Sequence, residues 1–288
     1  EILSNTEPDA LHRAGHSTDL NPIYNNTVMT GYADTTGKLF IGLDVHTGKR
    51  VWSSDYKTDL YFLVNVGLSF QDGAHFYFYG REITQREADG SPISSEVAFY
   101  GFDITTGELL LKHVFPEFFW ANPTIVRHLD GVIVSLDANW IDPDTGFEEN
   151  QFFIHSTQNV TDRKLLKVKR SNNHQVNSLD GALIGNFVLT KDDAGDIYLV
   201  YILSEAETWK SGKKHTPDNY DANLNCYNIT QEKWVYQNKP CNAYYPSIVA
   251  HKDVIYCGNN GYPNEPKPLG LYAYNWKTGE AVWEQKPS

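Results

Sequence analysis

Cysteine is nearly missing from this sequence. The first 225 residues contain none, and Cys226, Cys241 and Cys257 fall within 32 residues of one another near the end. So sparse a set cannot staple a disulfide scaffold, and it lacks the closely spaced ligand pairs of a zinc site. An oxidising compartment would allow one bridge and leave one thiol over. Hairpin register sets no two of the three opposite each other, so they read as buried small residues with at most one bridge. Positive charge is also in deficit, with 24 Lys and Arg against 36 Asp and Glu and a formal net charge of -12. That balance argues against nucleic acid or an anionic membrane as partner, since either needs a basic face. No apolar run reaches 18 residues, the length of a spanning helix. Gly-x-Ser-x-Gly, His-Glu-x-x-His and phosphate-binding glycine loops are absent, which argues against serine hydrolase, zincin and nucleotide chemistry.

What the chain has instead is a repeated hairpin. Leu271-Tyr-Ala-Tyr-Asn275-Trp-Lys-Thr278-Gly279-Glu-Ala-Val-Trp283 reads as a strand, a Thr-Gly turn and a second strand bearing an aromatic residue. Phe40 to Trp52 repeats it, with eight residues from Asp44 to Trp52 as from Asn275 to Trp283. Tyr100 to Leu111 is a third copy, with Leu111 in the Trp position. Weaker copies run from Phe152 to Leu166, with Thr161-Asp162 at the turn, and from Leu224 to Trp234, where the turn after Asn228 is read as two residues shorter. Short alternating strands repeating every 40 to 60 residues or so are the mark of a β-propeller.

The pattern Leu43-Asp44-x-x-Thr47-Gly48-x-x-x-Trp52 resembles the repeat of the PQQ-like, or quinoprotein alcohol dehydrogenase-like, β-propellers. The resemblance implies an all-β propeller fold, with Gly closing the turn, the Asx side chain bonding it and the Trp packing between blades. It does not extend to a quinone pocket, and no cofactor is expected. A single domain over 1–288 is expected, with blades of four antiparallel strands at about 21–58, 65–117, 122–172, 177–240 and 245–286. Five blades is the count, with six the alternative, because Ala182 to Ser204 has room for three strands.

Asn21, Asn65, Asn122, Asn177 and Tyr245 align at the starts of the innermost strands, so they are expected to ring the central channel. Tyr61, Phe62, Trp120, Tyr244 and His174 stand just before those positions. The long loops Glu82 to Glu96, Ile141 to Asn150, Glu205 to Ala222 and Tyr262 to Pro268 share the end of the propeller opposite the tight turns. Binding is expected at that loop end, in an apolar mouth carrying a few amides. His174 and Tyr245 are the candidate proton-transfer or hydrogen-bonding residues there. Asp142, Asp144 and Glu148 could fold an oxygen-rich loop around calcium, against the simpler reading of a solvated acidic loop.

These residues suit a neutral, largely apolar small organic molecule, enclosed and oriented by an enzyme of cyclase or pericyclase type that needs neither metal nor quinone. In class this is similar to the propeller hetero-Diels–Alderases of tropolone-sesquiterpene biosynthesis. The alternative is a lectin, a polysaccharide lyase or a glycosidase, with a saccharide in the same mouth. Acceptor sequons at Asn25, Asn159 and Asn228, with a start at Glu1 rather than Met, point to a secreted protein carrying N-linked glycans.

Overall fold

A computed structural model describes residues 22–31, 40–54, 56, 60–62, 69–89, 92–115, 125–141, 148–168, 184, 186–206, 220–243, 247–258 and 270–285, with backbone alone at 60–62, 92, 138–141, 148–149, 205–206 and 220–221. These residues form five antiparallel sheets. The first holds β1 (Ile23–Tyr24), β2 (Thr27–Gly31), β3 (Phe40–Asp44) and β4 (Arg50–Ser53) in that order. The second holds β5 (Leu60–Phe62), β6 (Ser69–Asp72), β7 (His75–Arg86), β8 (Pro92–Asp103) and β9 (Leu109–Val114). In it β5 and β6 both pair with β7, so the inner position is filled by two short segments. The third has β10 (Ile125–Leu129), β11 (Val132–Ile141), β12 (Glu148–Ser156) and β13 (Lys164–Lys167). The fourth has β14 (Phe187–Lys191), β15 (Ile197–Ala206), β16 (Tyr220–Asn228) and β17 (Lys233–Pro240). The fifth has β18 (Ser247–His251), β19 (Val254–Gly258), β20 (Leu271–Asn275) and β21 (Ala281–Gln285). Among the described residues between Ala182 and Ser204 there are two strands, β14 and the start of β15, and the described residues make five sheets.

The chain divides into two compact units, Glu1–Val126 and Arg127–Ser288. The core of the first is aromatic. Phe40, Phe76, Phe78, Tyr100 and Phe102 are buried together with Met29 and Ile104. Phe78 stacks on Tyr100 and Phe102 with centroids 5.1 and 6.0 Å apart. Because β7 is covered on both faces, Phe76 to Tyr79 is a continuous buried run rather than an alternating one. Burial of each such ring contributes about 2–3 kcal/mol. The core of the second unit joins its fourth and fifth sheets through Val200, Ile202, Leu224, Ile248, Ile255 and Trp276.

The repeat seen in the sequence has a structural basis in every copy. Oδ1 of Asp44, Asp103 and Asn275 accepts the amides two and three residues on, and Asn228 Oδ1 accepts that of Gln231. In the third sheet Ser156 holds the same register position, its Oγ accepting the Asn159 amide while Asn159 Oδ1 accepts those of Thr161 and Asp162. In the first and fourth sheets the residue eight further on docks on the next sheet. Trp52 Nε1 donates to Ile104 O at 3.0 Å, and in the fourth sheet the corresponding Tyr236 Oη donates to Trp276 O at 2.9 Å. Trp234 was expected in that position after a shortened turn. The spacing is in fact unchanged and Tyr236 fills it, while Trp234 packs edge-on against Tyr227. Replacing Tyr236 with Phe is expected to cost about 1 kcal/mol in a denaturant titration, the worth of one such hydrogen bond.

That register also accounts for a cysteine. Gly42, Gly101 and Ala273 stand two residues before their Asx, opposite Trp52, Leu111 and Trp283, where only a small side chain fits. Cys226 is their counterpart opposite Tyr236. Cys226, Cys241 and Cys257 are all buried in one core and none of them is in a disulfide. Burial pushes the Cys226 thiol up to about 12, and burial raises that of Cys257 as well. Thiol reagents at pH 8 are therefore expected to label none of the three in the folded protein and all three after denaturation.

The stretch from Glu82 to Glu96, read from its polarity as a loop, is largely strand. β7 runs to Arg86 and β8 starts at Pro92, with Ile83 buried between polar neighbours. β12 likewise begins at Glu148 and β16 at Tyr220.

Candidate functional site

Chemistry at the tight-turn end of each sheet is committed to structure. The Asx oxygens close their own turns. Asp192 accepts the Tyr198 hydroxyl at 2.8 Å, and Asp196 accepts Asn228 Nδ2 at 3.0 Å. The carboxyls of these turns sit low for that reason. The Thr47 hydroxyl and amide hold Asp44 below its ordinary value, and Tyr198 does the same for Asp192. For Asp103 burial opposes ionisation, and the bonds from Thr105 and Thr106 outweigh it. A depressed folded value contributes stability above the unfolded value near 3.8, and that contribution is lost as pH falls through the folded value. The unfolding midpoint is thus expected to drop on acidification below about pH 4. An Asp44→Asn and Asp103→Asn double variant, matching the neutral Asn275, should flatten that drop.

The residues expected to ring the channel, Asn21, Asn65, Asn122, Asn177 and Tyr245, lie outside the described residues, as do His174, Trp120, Tyr244, Asp142 and Asp144. Tyr61 and Phe62 are placed as backbone in β5, and Glu148 as backbone in β12 opposite Ile141. Among the described residues, no three His, Cys, Asp or Glu side chains are grouped to hold a metal ion.

A site missed by the sequence reading lies on the third sheet. Its two faces differ in kind. On one, Phe152 packs on Phe187 and Tyr201 with centroids 5.2 and 5.0 Å apart, beside the buried Val134 and Leu136. On the other, the register sets Ile133 opposite His155, Ser135 opposite Phe153 and Asp137 opposite Gln151. Asp137 and Gln151 are 4% and 2% exposed, and Ser135 and His155 are buried as well. Gln151 Nε2 donates to Asp137 Oδ2 at 3.2 Å, while Gln151 Oε1 is buried with no hydrogen-bond partner. Rotating the amide would point its oxygen at the carboxylate, so the orphan acceptor is fixed by the charge beside it. A buried carboxylate next to an unfilled carbonyl oxygen calls for a hydrogen-bond donor. The pair sits in the loop-side half of the β11–β12 hairpin, where the ladder breaks register before Trp140. The sequence signal was Ser135 and Asp137 alternating within an otherwise apolar strand.

Two further groups of charged residues are internally paired. In the first unit Glu82 accepts the Tyr100 hydroxyl at 3.0 Å and is bridged by Lys112, which also meets Glu96 at 3.5 Å. Burial raises Tyr100 far above the ordinary phenol value, so it acts there as a donor. Burial alone would lower Lys112, and its bonds to Glu82 and Tyr56 outweigh that and raise it. In the second unit Arg127 donates to Asn186 Oδ1 at 2.9 Å and lies 5.9 Å from the Phe187 ring centre.

No protein-family model matches the chain, and no curated protein matches it in sequence. Among solved structures it is similar to the lignostilbene dioxygenase of Pseudomonas brassicacearum, with a TM-score of 0.50 and 12% identity over 93% of this chain and 60% of that one. The chain is a β-propeller. A europium-containing methanol dehydrogenase is similar at TM-score 0.44 and 12% identity, over 92% of this chain and 60% of its own. The WD40 domain of Neurospora crassa Pan2 follows at TM-score 0.32 and 12% identity, over 92% and 84%. The propeller spans about three fifths of the dioxygenase and of the dehydrogenase. At such identities the likeness is one of fold, and function rests on the site.

Proposed function

We propose that this propeller is a secreted protein that binds a neutral, largely apolar small organic molecule at its loop end, with Gln151 Oε1, held in place by Asp137, accepting a hydrogen bond from its hydroxyl group. The observation that carries the proposal is the Gln151 Oε1 atom, buried and unpartnered beside a buried carboxylate. Support comes also from the opposite end of each sheet, where the turn Asx side chains are spent on closing their own turns. A fixed acceptor orients a bound molecule without reorganising, which is the means by which a cyclase or pericyclase free of metal and quinone accelerates its reaction.

The test is a panel of apolar phenols and alcohols, each paired with its methyl ether, read by ligand-observed NMR and by the shift in unfolding temperature. The hydroxyl compounds should bind and their ethers should not. Equal binding of ether and parent would refute an acceptor at Gln151 Oε1, and binding confined to saccharides would favour a lectin.

A further inference from the structure

The tripeptide Asn-x-Thr occurs three times, and the structure puts its three copies in different chemical situations. Asn25 is exposed at φ 45° in the two-residue turn between β1 and β2. Asn159 is exposed in the turn before β13. Its Oδ1 accepts from the Thr161 amide at 3.3 Å, the Thr161 hydroxyl at 2.7 Å and the Asp162 amide at 3.2 Å, bonds that leave Nδ2 out. Asn228 is 2% exposed, and its Nδ2 donates to Asp196 while its Oδ1 accepts from Gln231. Thr230 is committed too, because its hydroxyl accepts the Ile197 amide at 2.9 Å. The third copy is thus a turn-closing device built from the same residue types as an acceptor sequon.

We infer that Asn25 and Asn159 carry N-linked glycans and that Asn228, expected from sequence alone to carry one, does not. In the transfer, Asn Nδ2 bonds to the anomeric carbon of a lipid-diphosphate-linked oligosaccharide. The anomeric C–O bond breaks, the lipid diphosphate leaves with the electron pair, and the amide proton passes to a base of the transferase. A glycosyl group on Asn228 Nδ2 would replace one of its two amide hydrogens and force a bulky polar group into a buried position beside Asp196, so a chain modified there does not reach this fold. Asn25 and Asn159 both belong to the tight-turn end of their own sheets, so glycans there leave the loop end clear.

This inference rests on the secretory route proposed above, and two preparations separate the two. The full chain is routed through a eukaryotic secretory host by an added leader, and a second sample is isolated from the native source. Both are treated with peptide N-glycosidase F in heavy-oxygen water, and conversion of Asn to labelled Asp is mapped by mass spectrometry. In the soluble, folded host material Asn25 and Asn159 should be converted and Asn228 should not. Asn25→Gly, which tolerates the left-handed turn, and Asn159→Asp, which keeps the turn acceptor, should each remove one glycan without loss of folding. Conversion at Asn228 in folded protein, or bare Asn25 and Asn159 in the host material, would overturn the assignment. Bare sites in native material alone would overturn the secretory route and leave the acceptor geometry standing.

Discussion

Gly107→Ala is expected to destabilise the protein by about 3 kcal/mol or more, against about 1 kcal/mol for Gly48→Ala. Both glycines close the same turn of the repeat with positive φ, +74° at Gly107 and +64° at Gly48, so both substitutions carry the left-handed strain of an L residue. Their surroundings differ. A Cβ on Gly48 would meet nothing within 4 Å, whereas one on Gly107 would lie 2.3 Å from Cε3 of Trp52. That indole is held on its other side as well. It faces Gly42, where an added Cβ would fall 2.2 Å from its Nε1, and the same nitrogen bonds Ile104 O. Having no room to yield, the ring must leave its place or push the turn away. Chemical denaturation of the two variants measures the difference, and a Gly107→Ala, Trp52→Ala double variant should cost less than the sum of its parts. Equal costs at Gly48 and Gly107 would mean that the Trp does not rest on the neighbouring turn.

Asp137→Ala is expected to lower affinity for the hydroxyl ligand by about tenfold, because the Gln151 amide loses the carboxylate that fixes its orientation. It should also destabilise the free protein by about 1–3 kcal/mol, since it leaves the buried Gln151 amide without its acceptor. The informative comparison is Gln151→Met. Methionine occupies a similar volume and removes the orphan Oε1, a buried polar atom that costs free energy in the empty protein. Because the change also removes the Nε2 bond to Asp137, it is made in the Asp137→Ala background. If the orphan atom is kept for a ligand, adding Gln151→Met there should weaken binding further while the protein unfolds at the same or a higher denaturant concentration. A purely structural pair gives the other outcome, lower stability with binding untouched.

The hairpins were the legible part of this sequence because their determinants are local. The Asx, the Thr-Gly and the residue eight further on lie within a dozen residues, and register follows from turn chemistry. The fourth copy was misread where a stronger signal stood two residues early, Trp234 outweighing the Tyr236 that docks on Trp276. Glu82 to Glu96 looked like a loop because polar residues dominate it, although cross-strand pairing carries β7 and β8 into that stretch. The Asp137 and Gln151 pair was hidden for the opposite reason. Neither residue is unusual by itself, and only the β11–β12 register makes them neighbours on a buried face. The sequons show the same limit, since nothing in the three residues distinguishes Asn228 from Asn159 until Asp196 and Ile197 are brought to it by pairing of β15 with β16.

The most direct measurement is a crystal structure of the protein soaked with the tightest hydroxyl compound from the panel. The expected result is the ligand oxygen within about 2.7–3.2 Å of Gln151 Oε1, with Gln151 Nε2 still donating to the Asp137 carboxylate. A ligand bound at the tight-turn end or along the outer strands, with Gln151 Oε1 still unpartnered, would contradict a functional site on the third sheet.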